Sequence, residues 1–387
     1  MRSAFKKLSQ NKHNIDGGLL FAVTLCAILS TVLIYSIVES GMSKDEGVGA
    51  SYWKTQLLCT VAGLFFAAFI SVIDYRKLVK LWFVFAPAAL FLVALTFTSL
   101  GYQREGADDQ AWLQIGPVNF QPSEILKLAF ILTFSYHLSK DEADMNKPLH
   151  MLLLLLHGAI PIAIVGKQGD YGTAIIFAAI FICMICSADI SWKYLVAAPF
   201  FIAAATVGIW FFALSEMHKK RVTILFHPGS DPEYMEYQQD LGLAALKSGG
   251  VFGKGLLKEA DEYIYVPEIH NDFIFTYVGQ VFGFLGSVGV LIILSYTCLK
   301  IFSDSRITRD HLGRFICMGA FGLMLSHCIM NIGMVLKVAP VIGVPLPFMS
   351  AGGTALISMY AVIGLVLSTY SHRAVIYNVF YDEDDDK

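Results

Sequence analysis

Glu268, His270 and Asp272 stand at alternate positions in VPEIHNDFIF (266–275), where a long polar segment runs without a break into a strongly apolar one. Two carboxylates and an imidazole crowded together are groups that exchange protons. An aspartate moved toward the centre of a membrane helix costs about 2.5–3.5 kcal/mol, and an ionisable group kept near the membrane against that cost is a functional candidate by default. Asp272 equally suits the start of a helix, where a negative charge favours the dipole. Taken alone, the residue fits either reading.

Other polar groups gather in similar settings. Residues 111–124 contain Trp112 and lead through Pro122, suited to a first helical turn, to Glu124 and Lys127, which are i, i+3 neighbours on one helix face. They suit mutual neutralisation or a polar cavity alike, and Trp112 also suits a simple interfacial anchor. KQGDYGT (167–173) places Lys167 beside Asp170, and Lys219, Lys220 and Arg221 form a basic cluster. His327 and Asn331 lie one turn apart in an apolar stretch, where such side chains can merely bridge helices. After Lys337 comes VAPVIGVPLPFMSAGG (338–353), whose prolines and glycines forbid a regular spanning helix. Irregular backbone at membrane depth is tolerated where it is buried in protein or lines a wet cavity. SGGVFGKG (248–255) looks like a phosphate loop only superficially, because the spacing of that motif fails. A flexible turn is the expectation, with amide contact to a pyrophosphate as the lesser alternative.

The elements that must position these groups are membrane helices. Of 387 residues, 56% are hydrophobic and only 15% charged, with mean hydropathy +0.61, whereas soluble domains carry roughly 25% charged residues. Ten apolar spans are read at about 18–38, 57–73, 81–100, 125–138, 151–165, 174–188, 194–214, 273–299, 315–336 and 354–370. Backbone satisfaction in lipid leaves helices as the reading for them. The expected fold is therefore an all-α polytopic membrane domain over the whole chain, with one long extracytoplasmic loop at 215–271 and a cytoplasmic tail at 371–387. A helix over Glu233 to Lys247 in that loop could lie on the membrane. The first apolar run is too long for a cleaved signal and reads as a retained anchor.

Lysine and arginine set the orientation. Arg2, Lys6, Lys7, Arg76, Lys77, Lys80, Arg306, Arg309 and Arg314, among others, fall on one side, against Lys44, Lys54, Arg104, Lys167 and Lys337 in the short loops of the other. The bias puts both termini in the cytoplasm, and four outer segments then supply polar groups to one face. The acidic run 382–386 reads as a solvated end. The seven cysteines all fall in apolar stretches, which argues against a disulfide framework, and Cys183 and Cys186 read as small packing residues. The formal charge of −3 says little about partners, and no nucleic acid is expected among them.

FQPSEILK (120–127), GDYGTA (169–174), SGGVFGKGL (248–256), PEIHNDFIF (267–275), NIGM (331–334) and PLPFMSAGG (345–353) occur in this order over most of the chain. Together they resemble the SEDS family (shape, elongation, division and sporulation), and its RodA-like branch more than its FtsW-like one. The chain departs from the family pattern at Gly169 and Tyr171, at Leu241 and Gly242, at Ala111 and Ala351, and at His327, where the family usually has glutamine.

The resemblance implies a ten-span bacterial cell-membrane enzyme that polymerises lipid II into glycan strands on the outer face, for cell shape, elongation or division. Carried over by motif, Asp272 looks like the essential acidic residue, expected as general base on the acceptor sugar hydroxyl. Substrate contacts are expected from Trp112, Glu124, Lys127, Lys167, Asp170, Arg221, Glu268, His270, Lys337 and Ser350. Arg221, Lys167, Lys337, Lys127 or a divalent cation (magnesium or manganese) could neutralise the departing pyrophosphate; no other cofactor is expected. The family's expected partner is a class B penicillin-binding protein, a transpeptidase. A lipid II flippase, or a non-catalytic scaffold for that transpeptidase, are the competing readings.

Overall fold

The computed structural model describes residues 15–42, 48–103, 109–116, 118–140, 144–227, 229 and 235–373. The basic residues before 15, Lys44, Arg104 and the acidic tail lie outside them. The described helices are α1 Gly17–Ser40, α2 Ser51–Val72, α3 Tyr75–Lys80, α4 Trp82–Leu95, α5 Pro122–Lys140, α6 Pro148–Lys167, α7 Tyr171–Cys186, α8 Trp192–Phe212, α9 Glu216–Phe226, α10 Met235–Ser248, α11 Ile274–Ile307, α12 His311–Val335 and α13 Gly353–Ser371. Every apolar stretch of the sequence coincides with one of them. Seven (α1, α2, α6, α8, α11, α12 and α13) are long and apolar enough to cross a membrane, with α4 and α7 as shorter apolar helices. The chain is a multi-pass membrane protein.

Burial grades from centre to rim. In α12 and α13 the apolar window is 67% buried, whereas α8 contributes no buried residue. A helix apolar on every side with nothing packed over it faces lipid. The packing of α2 against α13 depends on small residues. A Cβ at Gly63 would stand 2.3 Å from the Tyr360 ring, and one at Gly364 would stand 2.9 Å from Ala67. At the end remote from the long loop, Tyr75 and Arg76 in α3 both bind Asp310, the N-cap of α12, at 2.6 and 3.0 Å.

Three features depart from the sequence expectations. A small antiparallel sheet joins β1 Gly101–Tyr102, β2 Trp112–Ile115 and β3 Val118–Phe120, with Leu113 opposite both Gly101 and Phe120. These residues lie between spans, where strands can pair without exposing an edge to lipid. α10 does not rest on a bilayer alone; its face carrying Gln239, Gly242 and Ala245 is buried, and a Cβ at Gly242 would meet Phe273 at 3.1 Å. The glycine-rich 248–255 segment is not a free turn. α11 breaks at Gly283 (φ 67), and the segment brackets that break, with Lys254 N–H donating to Gln280 O (2.8 Å), Gly255 N–H to Val281 O (3.0 Å) and Phe284 N–H to Gly250 O (2.8 Å). The amides of Gly253, Lys254 and Gly255 are spent inside the chain, so they form no anion cradle.

Candidate active site

At the end holding the long loop, a cavity of about 600 Å³ opens between the first residues of α2, α7 and α13, the turn 268–273 before α11, the β2–β3 hairpin and the wall segment 341–352. That is within the range of small-ligand sites. Asp109, Asp170, Glu268, Asp272 and Arg221 line it as charged groups, with Tyr52, Trp112 and Tyr171 as rings and Gln56, Asn119, Gln121, Gln238 and Asn271 as amides. The sequence segments around residues 112, 121, 170, 221, 272 and 345–353 thus meet in one hollow.

Asp272 is held by its backbone neighbours rather than by chance. Three successive carbonyls accept hydrogen bonds from other segments, namely His270 O from Ala351 N–H (2.9 Å), Asn271 O from Ser350 Oγ (2.6 Å) and Asp272 O from Asn331 Nδ2 (2.8 Å). Ser350 in turn accepts Leu346 N–H at 2.8 Å, and its carbonyl accepts Gln56 Nε2 at 3.2 Å. Gln56 also donates to Ser30 Oγ (2.9 Å), and that hydroxyl donates to Met349 O. The Asp272 Oδ2 atom lies against Gly343 (φ 62), where an added Cβ would stand 3.4 Å away.

Strain marks the same place. Glu268 (φ 57) and Phe348 (φ 61) are non-glycine residues in the left-handed region, and both line the cavity. Such backbone costs of order 1–3 kcal/mol per residue and persists where surrounding structure over-determines it. Glu268 O accepts from Asn271 N–H (3.0 Å) and Phe273 N–H (3.2 Å), while its carboxylate accepts Asn271 Nδ2 at 2.8 Å.

On the facing wall, Asp170 caps α7 by accepting Thr173 N–H at 2.9 Å and also accepts Gln121 Nε2 at 2.9 Å. Burial pushes its carboxyl above the usual range and the nearby Asp109 adds to this, against the pull of the Thr173 amide. Arg221, on amphipathic α9, donates to Val341 O at 3.2 Å. One turn earlier His218 meets the Tyr171 ring edge-on, with centroids 4.5 Å apart.

Near the cavity, α5, α12 and α13 share a buried polar network. Lys127 Nζ binds Glu124 Oε1 at 2.7 Å and His327 Nε2 at 3.3 Å, and Ser358 Oγ donates to Glu124 Oε2 at 2.6 Å. Glu124, Lys127 and His327 are all buried, at 3%, 2% and 2% exposure. Removing one partner of such a pair typically costs about 3–5 kcal/mol, because the other charge is left uncompensated.

The FtsW/RodA/SpoVE family model, described as cell cycle protein, matches residues 18–374. This chain belongs to that family. Within the family it is 31% identical over 358 residues to the peptidoglycan glycosyltransferase MrdB of Escherichia coli K12, covering 91% of this chain and 94% of the relative. It is 28% identical over 375 residues to stage V sporulation protein E of Bacillus subtilis, covering 93% and 98%. The Thermus thermophilus rod shape determining protein RodA shares the fold, with a TM-score of 0.68 at 22% identity over 94% of this chain and 98% of that one. So does a chain from the structure described as "Structural coordination of polymerization and crosslinking by a peptidoglycan synthase complex", with a TM-score of 0.77 at 24% identity over 93% and 98%.

In this family member the site residues expected from sequence divide by place. Asp272, Glu268, Asp170, Trp112, Arg221 and Ser350 line the cavity. Glu124 and Lys127 lie beneath it in the buried network. His270 is buried, edge-on to Tyr52 at 5.2 Å, and supports the turn through its carbonyl. Lys167 lies over the Phe97 ring, 5.7 Å from its centroid, and Lys337 is bound to Asp240 at 2.6 Å and Glu236 at 3.6 Å. Of the four candidate cations, Arg221 is the one on the cavity wall. Sequence reasoning missed Tyr52, Gln56, Asp109, Asn119, Gln238 and His218. A glutamine within the apolar α2 was a readable signal for Gln56; Tyr52 opens that helix, Asn119 lies in β3, Asp109 in a loop, and His218 and Gln238 on α9 and α10, positions where such residues are ordinary.

Proposed function

We infer that this chain is a peptidoglycan glycosyltransferase that polymerises lipid II into glycan strands at the outer face of the bacterial cytoplasmic membrane, with both of its termini in the cytoplasm. The observation that carries this is a cavity of about 600 Å³ whose wall holds the Asp272 backbone through three tethered carbonyls. Asp272 takes the proton of the acceptor sugar's C4 hydroxyl. The freed oxygen forms a bond to the donor's anomeric carbon as the bond from that carbon to the pyrophosphate oxygen breaks, with inversion, and undecaprenyl pyrophosphate departs. A positioned base contributes typically about 10²–10⁴-fold. Holding two lipid-tethered sugars together and stabilising the leaving charge supply the rest.

Arg221 and the amino ends of α2, α7 and α13 bring positive charge and partial positive charge to the leaving group. Among the described residues no three His, Cys, Asp or Glu side chains are grouped to hold a metal. Magnesium or manganese would therefore be held by one or two cavity carboxylates together with the pyrophosphate, a donor set that magnesium commonly uses. When bound, the ion would neutralise leaving-group charge. A class B penicillin-binding protein is the partner we expect to crosslink the strands. Transport of lipid II gains no comparable support, because buried Glu124, Lys127 and His327 are bonded to one another and do not line the cavity.

Purified protein given lipid II, alone and with the transpeptidase, is expected to form glycan strands resolvable on a gel. Asp272→Asn should lower the rate by about 10²-fold or more. Polymer made equally well by that variant would remove Asp272 as the base. No polymer from any preparation, partner included, would favour transport or scaffolding.

A further inference from the structure

The buried network beneath the cavity contains one group whose bonding partners fix its chemistry. His327 Nε2 faces Lys127 Nζ at 3.3 Å, and its Nδ1 faces Pro345 O at 3.0 Å. An ammonium only donates and a carbonyl only accepts. The imidazole is therefore the neutral tautomer with hydrogen on Nδ1, donating to Pro345 O and accepting from Lys127. One turn further along α12, Asn331 Nδ2 donates to Val344 O and Asp272 O, both at 2.8 Å. Two consecutive wall carbonyls, 344 and 345, are thus held by side chains four residues apart on a single helix, and one of those side chains also holds the Asp272 backbone.

We propose that His327 is a positioning residue for glycosyl transfer, relaying the fixed Glu124–Lys127 ion pair to the 344–350 wall so that the cavity keeps Asp272 and Gly343 in register. The idea rests on the glycosyltransferase reading above. The Glu124 carboxylate is itself held by Ser358 on α13 and by Lys127, so the relay is anchored on α5 and α13 and delivered through α12. No bond to substrate is made by His327, which does not line the cavity. Its effect should therefore fall on turnover rather than on substrate binding.

The geometry requires a donor on one side and an acceptor on the other. Glutamine supplies both, with its amide NH₂ for Pro345 O and its carbonyl for Lys127; leucine supplies neither. The test compares wild type, His327→Gln and His327→Leu in lipid nanodiscs with lipid II, reading kcat and KM together with hydrogen exchange of the 268–272 and 343–350 amides. We expect His327→Leu to lower kcat at least tenfold with KM within twofold, and to speed exchange in both segments. His327→Gln should restore kcat to within about threefold and exchange to the wild-type rate. Leucine without effect on kcat and exchange would overturn the relay, and so would glutamine failing as badly as leucine. A change confined to melting temperature, with folded enzyme turning over normally, would also overturn it by assigning His327 a purely structural role. If wild type forms no polymer, the functional reading falls, while the exchange comparison still decides whether His327 orders the wall.

Discussion

At the scale of single residues, the cavity sets carboxylates in different environments, and Asp170 shows what that does. Its oxygens cap α7 and meet Gln121, yet burial raises its pKa. A carboxyl raised in the folded state contributes stability that is fully present below its unfolded pKa and is lost as pH rises through the folded value. At neutral pH the ionised Asp170 therefore costs stability. Asparagine caps a helix about as well as aspartate and carries no charge. Asp170→Asn should melt at the same temperature as wild type or higher at pH 7, with the gap closing as pH falls toward 4. Lower polymerising activity in the same variant would mark the charge as kept for function against stability. A variant that melts well below wild type at pH 7 would show that the cap geometry outweighs the charge.

At the scale of elements, the site depends on a helix that does not run straight. α11 begins just after Asp272, and its break at Gly283 is occupied by the 250–255 backbone. Gly253 has φ 81, and a Cβ there would stand 2.2 Å from Val281 O. Gly253→Val should destabilise by about 1–3 kcal/mol, as overpacking does, read as a fall in melting temperature in detergent. Gly208→Ala on the lipid-facing α8, where a Cβ meets nothing within 4 Å, is the matched control and should leave melting unchanged. Equal melting of the two variants would mean that the bracket around Gly283 is not under load. The glycine-rich motif was legible in the sequence, but its purpose was not. Glycine that serves close backbone approach and glycine that serves flexibility look alike until the second backbone is known.

At the scale of the whole molecule, orientation decides where the chemistry happens. An epitope after residue 373 should be reached by antibody in intact spheroplasts only after permeabilisation, whereas protease added outside should cut within 254–263. The opposite pattern would put the cavity in the cytoplasm and defeat an outer-face polymerase. The apolar spans, the broken wall at 338–353 and the residues of the family motifs were all readable from one sequence, because lipid imposes length and apolarity on every crossing. The partners of Lys167 and Lys337 were not readable. Lys167 ends α6 and Lys337 follows α12, but Phe97 and the α10 carboxylates that engage them come from sequence-distant elements.

The sequence by itself therefore determined a helical membrane protein of the FtsW/RodA/SpoVE family and placed an aspartate at the mouth of a span. Tertiary structure alone decided that Asp272, Asp170, Glu268 and Arg221 share one hollow, that Lys127 is buried beneath it, and that His327 joins the two levels. The physical reason is that composition and periodicity report each helix's relation to lipid, a local property. Which polar faces meet depends on packing between segments as far apart as residues 124 and 358, and no local pattern encodes that meeting.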